Sequence, residues 1–175
     1  MAGDQQAAAF GQLCTSPGSV KSTYGTGCFL LINTGKKAVF SKNNLITTRA
    51  CRIDGDSSFA LEGSIFIAGA VAQWLRDGIK LISDSDETEE IAKRVSHDHG
   101  LTLVHAFAGL GAPHWDSLAR GTLYGLTRAS TDEHIVRAAI ESVAFQTRDL
   151  LNALSDDGVA PRSLKVDGGM SRNNF

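Results

Sequence analysis

The clearest structural signal in this chain is the run Ser130–Leu154, STDEHIVRAAIESVAFQTRDLLNAL. Ile135, Ala139, Val143 and Leu150 share one face at a period near 3.6, which predicts an amphipathic helix with an apolar side to bury. Ser130 and Glu133 have capping-box spacing and predict its start. The runs around it have a different period. KSTYGTGCFLLINTG is rich in β-branched and aromatic residues about Gly25 and Gly27, predicting two strands hinged at Gly-Thr-Gly. NLITTRAC predicts a third strand and SSFALEG a fourth. GDQQAAAFGQLC reads as a helix from Gln5 with Asp4 as its N-cap. EGSIFIAGAVAQWLRD reads as a helix from Glu62, with Gly78 as its C-cap. SDSDETEEIAKRVSHDHG predicts a charged surface helix with its loop, and LTLVHAFAGLGAPHWDSLARGTLYGL predicts strands about a Gly-rich loop. The last residues, SLKVDGGMSRNNF, read as a strand, a tight turn and the first residues of a helix. Strands with helices between them point to the α/β class.

Size and charge narrow the functions open to such a fold. A chain of 175 residues, 42% hydrophobic and 21% charged, is one domain by size and can bury a core. Seventeen basic and nineteen acidic residues give a net charge of −2, with no basic stripe to neutralise a phosphate backbone. Nucleic acid and anionic membrane are therefore disfavoured, and a small molecule or protein partner is expected. Cys14, Cys28 and Cys51 are odd in number and lack metal-ligand spacing, which predicts free thiols in a reducing compartment. No apolar run approaches membrane-spanning length and the Met1 end carries no basic-then-apolar signal. No membrane insertion is expected, and the cytoplasm is the default compartment.

Two loops and one carboxylate carry the chemistry. Gly25-Thr26-Gly27 would let backbone amides approach a ligand closely, with the Thr26 hydroxyl free to donate to a phosphate oxygen; a plain Gly-rich hairpin is the competing reading. Gly168-Gly169-Met170-Ser171 follows a strand, where side-chain-free backbone could receive a ring or phosphate; an ordinary strand-to-helix turn is its competitor. Neither loop has Walker or Rossmann spacing. Asp4 reads as a helix cap or as a general base taking a proton from an alcohol that attacks a γ-phosphoryl group, with Gln5 beside it able to bond a second hydroxyl. His97 and His99 have no third ligand spaced with them and read as a solvated loop. Glu87, Glu89 and Glu90 read as an exposed charged face, and Trp74 and Phe145 as core.

The blocks GDQQAAAFGQLC, TYGTGCFLL, GLGAPHWDSLARG and GTLYGLTRASTDEHIVRAAIE, in that order, resemble the glycerol kinases among the FGGY carbohydrate kinases, within the wider actin-like ATPase superfamily. GTLYGLTRASTDEHIVRAAIE resembles the second FGGY signature, and VDGGMSRNN the adenosine-side motif of the superfamily. The resemblance covers essentially the whole chain. It implies an actin-like, ribonuclease H-like lobe: a mixed sheet with flanking helices, over residues 1–175, incomplete at both ends.

By resemblance, Asp4 is the base that deprotonates a glycerol hydroxyl, Asp4 and Gln5 both contact the polyol, and Phe29 lines its apolar side. Thr26 touches the nucleotide phosphates; Gly69, Gln73, Gly169 and Asn173 lie on the nucleotide side. Gly69 and Gln73 are at i, i+4, so one helix face could present both to one ligand. ATP, glycerol and Mg2+ are the implied ligands, with the metal held mainly by an N-terminal lobe that this sequence lacks. The resemblance leaves room for a homo-oligomer of the full-length enzyme. His114 stands where the family usually has Tyr, and Ser117-Leu118 where Pro-Tyr is common. Since phosphoryl transfer is positioning and charge stabilisation, the chain alone is expected to be inactive. Two alternatives stay open: another FGGY sugar kinase acting on a pentose or gluconate, and a truncated module without catalysis.

Overall fold

The sheet grows outward from the hairpin at Gly25–Gly27. The computed structural model describes residues 3–175. Strands β1 (Ser19–Tyr24) and β2 (Cys28–Gly35) pair antiparallel, and β4 (Asp56–Ile65) and β3 (Ile46–Ile53) extend the sheet beyond β2. A separate antiparallel ladder joins β5 (Thr102–Val104) to β6 (Thr122–Tyr124). Strand β7 (Ser163–Asp167) returns to pair parallel with β1, so the order is β3-β4-β2-β1-β7 and the sheet is mixed.

Period-two alternation sends the sheet's side chains to two unlike layers. Val20, Leu30, Ile32, Leu61 and Ile65 share a buried cluster with Val143, Leu150 and Leu154 of the long helix α4 (Asp132–Asp156). Each fully buried aliphatic side chain of this kind contributes about 1.5–3 kcal/mol. Helices α2 (Gly69–Gln73) and α3 (Glu87–Arg94) pack against α4. On the opposite face, α1 (Asp4–Gly11) covers a smaller cluster in which Ala9 and Cys14 meet Leu31, Ala50 and Ala60. All three cysteines are free thiols, and no helix among the described residues is long and apolar enough to cross a membrane.

Several local expectations are corrected. The helix expected from Glu62 begins only at Gly69, because Glu62–Ile65 continues β4 in register with Leu31–Cys28 of β2. Past Gln73 it widens into a π-helical turn, Trp74–Gly78, so Gly78 lies inside the turn and Ile79 caps it. At α1, Gly3 occupies the N-cap and Asp4 is already helical. At α4 the cap is Thr131, whose backbone N–H donates to His134 Nδ1 at 3.2 Å, while Ser130 Oγ is taken by the Thr127 N–H at 2.9 Å. Phe145 is 56% exposed rather than core. Two positions past the buried Val143, it is turned about 200° around the helix axis. Trp74 is partly buried against the core, its ring 4.9 Å from that of Phe107.

Candidate active site

The hairpin tip is clamped by the helix that follows β4. Thr26 O accepts the Ala68 N–H at 2.8 Å and the Ala70 N–H at 3.1 Å, and Gly25 O accepts the Gly69 N–H at 2.9 Å. The approach is possible only for glycine: a Cβ on Gly69 would lie 2.6 Å from Gly25 O, and one on Gly27 would lie 2.6 Å from Ile65 O. The first amides of α2 thus hold the loop in place, and Thr26 is left exposed at its tip.

Beside that tip lies a cleft of about 420 Å3 whose lining includes Thr26, Gly69, Gln73, Gly169 and Asn173. The structure therefore brings together every residue expected on the nucleotide side. One wall is the helix face of Gly69 and Gln73; across from it run the single 3-10 turn Gly169–Arg172 and residues at the start of α3. The two glycines before that turn differ in what they do. Gly168 has φ +92° and a Cβ there would sit 2.3 Å from Tyr24 O, so the fold itself demands glycine. A Cβ on Gly169 would meet no atom within 4 Å, so packing within the lobe does not demand glycine at that point, which lines the cleft. Asn173 is engaged by its own protein: Nδ2 donates to Thr88 Oγ1 at 3.1 Å and Oδ1 accepts the Phe175 N–H at 2.9 Å, tying the turn to α3.

Reading the sequence missed other parts of this lining, including Arg76, Tyr24 and Ile140. Arg76 was within reach, being three residues past Gln73 on the same helical rail; its guanidinium forks onto Asp77 at 2.8 and 2.7 Å. Tyr24 and Ile140 face the cleft from β1 and α4 and carry no local signal. The Tyr24 hydroxyl donates to Thr147 Oγ1 at 3.1 Å, and burial raises its pKa. Glu89, expected on an exposed face, also lines the cleft; its carboxylate accepts the Asn174 N–H at 2.8 Å, which leads the causes that lower its pKa.

Of the three residues expected on the polyol side, Gln5 and Phe29 meet at one ammonium group. Asp4 is exposed at the start of α1, and its Oδ1 accepts the Gln5 N–H at 2.8 Å. Lys21, fully buried on β1, donates to Gln5 Oε1, to Thr23 Oγ1 at 3.1 Å and to the Phe29 carbonyl at 3.1 Å. Gln5 and the Phe29 backbone are thereby joined through a residue that strand alternation alone would leave facing solvent. Burial lowers the Lys21 pKa, opposed by Asp167, Glu62, Cys28 and Asp4.

The remaining expectations fall outside these surfaces. His97 is exposed, whereas the His99 side chain is 3% exposed with Nε2 3.1 Å from Glu141 Oε2, so the solvated-loop reading fails for it. Its loop folds back on α4, which local sequence could not show. Among the described residues no three His, Cys, Asp or Glu side chains converge as a metal site. His114, Ser117 and Leu118 are exposed and do not line the cleft.

A mixed sheet flanked by helices, with a cleft between a clamped hairpin tip and the turn after β7, defines a lobe of the actin-like ATPase fold. The chain belongs to the FGGY family of carbohydrate kinases, residues 20–175 matching that family's C-terminal domain. It is 59% identical to a glycerol kinase of Clostridium botulinum, over 99% of this chain and 35% of that protein. The crystal structure of Plasmodium falciparum glycerol kinase with ADP superposes with a TM-score of 0.91 at 44% identity, over 98% of this chain and 35% of the other. A xylulose kinase from Rhodospirillum rubrum shares the fold at a TM-score of 0.85 and 25% identity, over 99% of this chain and 34% of the other. The chain thus spans about a third of the length of the relatives it matches.

Proposed function

We propose that this chain is the C-terminal lobe of a glycerol kinase, which transfers the γ-phosphoryl group of ATP to a glycerol hydroxyl to give glycerol 3-phosphate. The observation that carries the proposal is the cleft that gathers Thr26, Gly69, Gln73, Gly169 and Asn173. Identity of 59% to a glycerol kinase, against 25% to a xylulose kinase, favours glycerol over a pentose. In this reading Gly169 receives the flat nucleoside against bare backbone, Gly69 and Gln73 hold its other side, and Thr26 meets the phosphates from the clamped tip. Asp4 takes the proton from the attacking hydroxyl, Gln5 bonds the polyol and Phe29 covers its apolar side. The opposite wall of the cleft would come from an N-terminal lobe. Mg2+ is usually held through one or two carboxylates plus substrate phosphates, so the ion accompanies the nucleotide and the second lobe rather than a site of this chain.

Asp4→Asn in the full-length protein carrying this lobe tests the assignment. Gly3 is the N-cap, and the carboxamide oxygen of the variant can still accept the Gln5 N–H, so helix α1 should be unaffected. What disappears is the proton acceptor. The expected result is a fall in kcat of roughly 10² to 10⁴, the range for losing a general base, with an unchanged Tm. An Asp4→Asn variant that turns over at the parent rate removes Asp4 from the chemistry.

A further inference from the structure

We propose that Lys21 is a positioning residue for the polyol end of the site, its buried ammonium locking the Gln5 amide so that Nε2 rather than Oε1 is offered to a substrate hydroxyl. This rests on the reading that Asp4 and Gln5 contact the polyol. An ammonium group has three donors and no acceptor. Lys21 places those donors on Gln5 Oε1, Thr23 Oγ1 and Phe29 O, all of them acceptors. Its side chain has no exposed surface, so water does not compete for any of the three. The charges of Asp167, Glu62 and Asp4 favour the ammonium and oppose the effect of its burial.

The consequence is directional. A surface glutamine turns its amide over freely and offers either a donor or an acceptor, whereas Gln5 has its oxygen committed. Consecutive residues then present opposite chemistry: Asp4 an acceptor, Gln5 a donor. A hydroxyl that accepts from Gln5 keeps its own proton to give elsewhere, and one that donates to Asp4 is the one made nucleophilic. Two hydroxyls on adjacent carbons suit this pair, and the same ammonium holds the Phe29 backbone, so one residue sets the spacing between helix α1 and the hairpin.

The test uses the full-length protein carrying this lobe, with steady-state kinetics and thermal denaturation on the same preparations. Lys21→Met keeps the length of the side chain without its charge and frees the Gln5 amide. The glycerol KM should rise about tenfold and the ATP KM should stay within about twofold, while Tm falls because the Phe29 carbonyl loses its donor. In a Gln5→Ala background the same change should add less than about twofold, because the group it positions is already gone. An unchanged glycerol KM in Lys21→Met, or effects that simply multiply with Gln5→Ala, would overturn the proposal. Should Lys21→Met not fold, Gln5→Glu decides: it pairs with Lys21 but has no donor, so the glycerol KM should rise as far with the ATP KM unmoved, and a parental glycerol KM overturns it. Asp4→Asn assayed in parallel separates the two ideas. Full activity there sinks the polyol assignment itself, whereas an inactive Asp4→Asn beside a parental Lys21→Met sinks only the role of Lys21.

Discussion

Two buried basic side chains, Lys21 and His105, meet the cost of burial in opposite ways. Lys21 is held by three acceptors and nearby carboxylates, which oppose the effect of its burial. His105 is 1% exposed, and neither ring nitrogen has a hydrogen-bond partner of normal geometry. Burial therefore lowers its pKa from 6.5 to about 4, opposed by the Ile67 backbone. A folded-state value below the unfolded one means that the unfolded chain binds the extra proton. Stability from this group is complete above pH 6.5 and is lost as pH falls toward 4, by up to about 3 kcal/mol. His105→Leu removes the titration and the unpaired nitrogens together. Urea midpoints at pH 7 and pH 5 should show a steeper acid loss in the parent than in the variant; parallel losses would rule out His105 as the cause.

At the scale of elements, one side chain holds α3 to α4. Arg137 is buried on α4 and donates from Nη1 to the Ala92 carbonyl at 3.2 Å and to the carbonyl of Val95, the C-cap of α3. Its Nε donates to Glu141 Oε1 at 2.7 Å, and the guanidinium lies 4.8 Å from the centroid of the Phe175 ring. Removing Arg137 leaves the partly buried Glu141 carboxylate with His99 as its remaining partner and the carbonyls at the end of α3 without this donor. Arg137→Met should cost up to about 3–5 kcal/mol, read from urea denaturation. Because part of that loss is the weakened pairing of Glu141, Arg137→Met with Glu141→Leu should recover part of it. Costs that add in the double variant would mean that the two side chains are not coupled. The anchor also bears on the cleft, since α3 supplies Thr88 and Glu89 to its lining.

In the proposed kinase the molecule as a whole would present one side of the reaction site. Thr26, Gly69 and Gly169 line an open cleft, and the relatives that share this fold are about three times as long as this chain. Phosphoryl transfer depends on positioning and on charge stabilisation around the transferred group, and one wall supplies only part of each. The 175-residue chain alone, mixed with glycerol and Mg-ATP, should release ADP only at background rate in a coupled assay. Turnover near that of a full-length kinase would show that this lobe suffices. Calorimetry should likewise find weak nucleotide binding, and a micromolar dissociation constant would assign most of the site's affinity to this lobe.

What the amino-acid order determined by itself was local. The Gly25–Gly27 hinge between two strands was legible from its glycines, of which Gly27 leaves no room for a Cβ beside Ile65 O, and the long helix because its apolar residues recur at the helical period. The residues expected on the nucleotide side were chosen by resemblance to known motifs, and one cleft gathers all of them. Tertiary structure decided what depends on distant partners. Glu62–Ile65 became strand rather than helix because β2 was there to pair with it, and ladder hydrogen bonds outweighed a helical pattern. His99 became buried because α4 passes beside its loop, bringing Glu141 within 3.1 Å. Lys21, a polar residue in an alternating strand, would read as solvent-facing until α1 covers that side of the sheet. Its burial requires Gln5 and Phe29 to arrive from two other elements, since the local sequence supplies only Thr23 of the three acceptors that meet its donors.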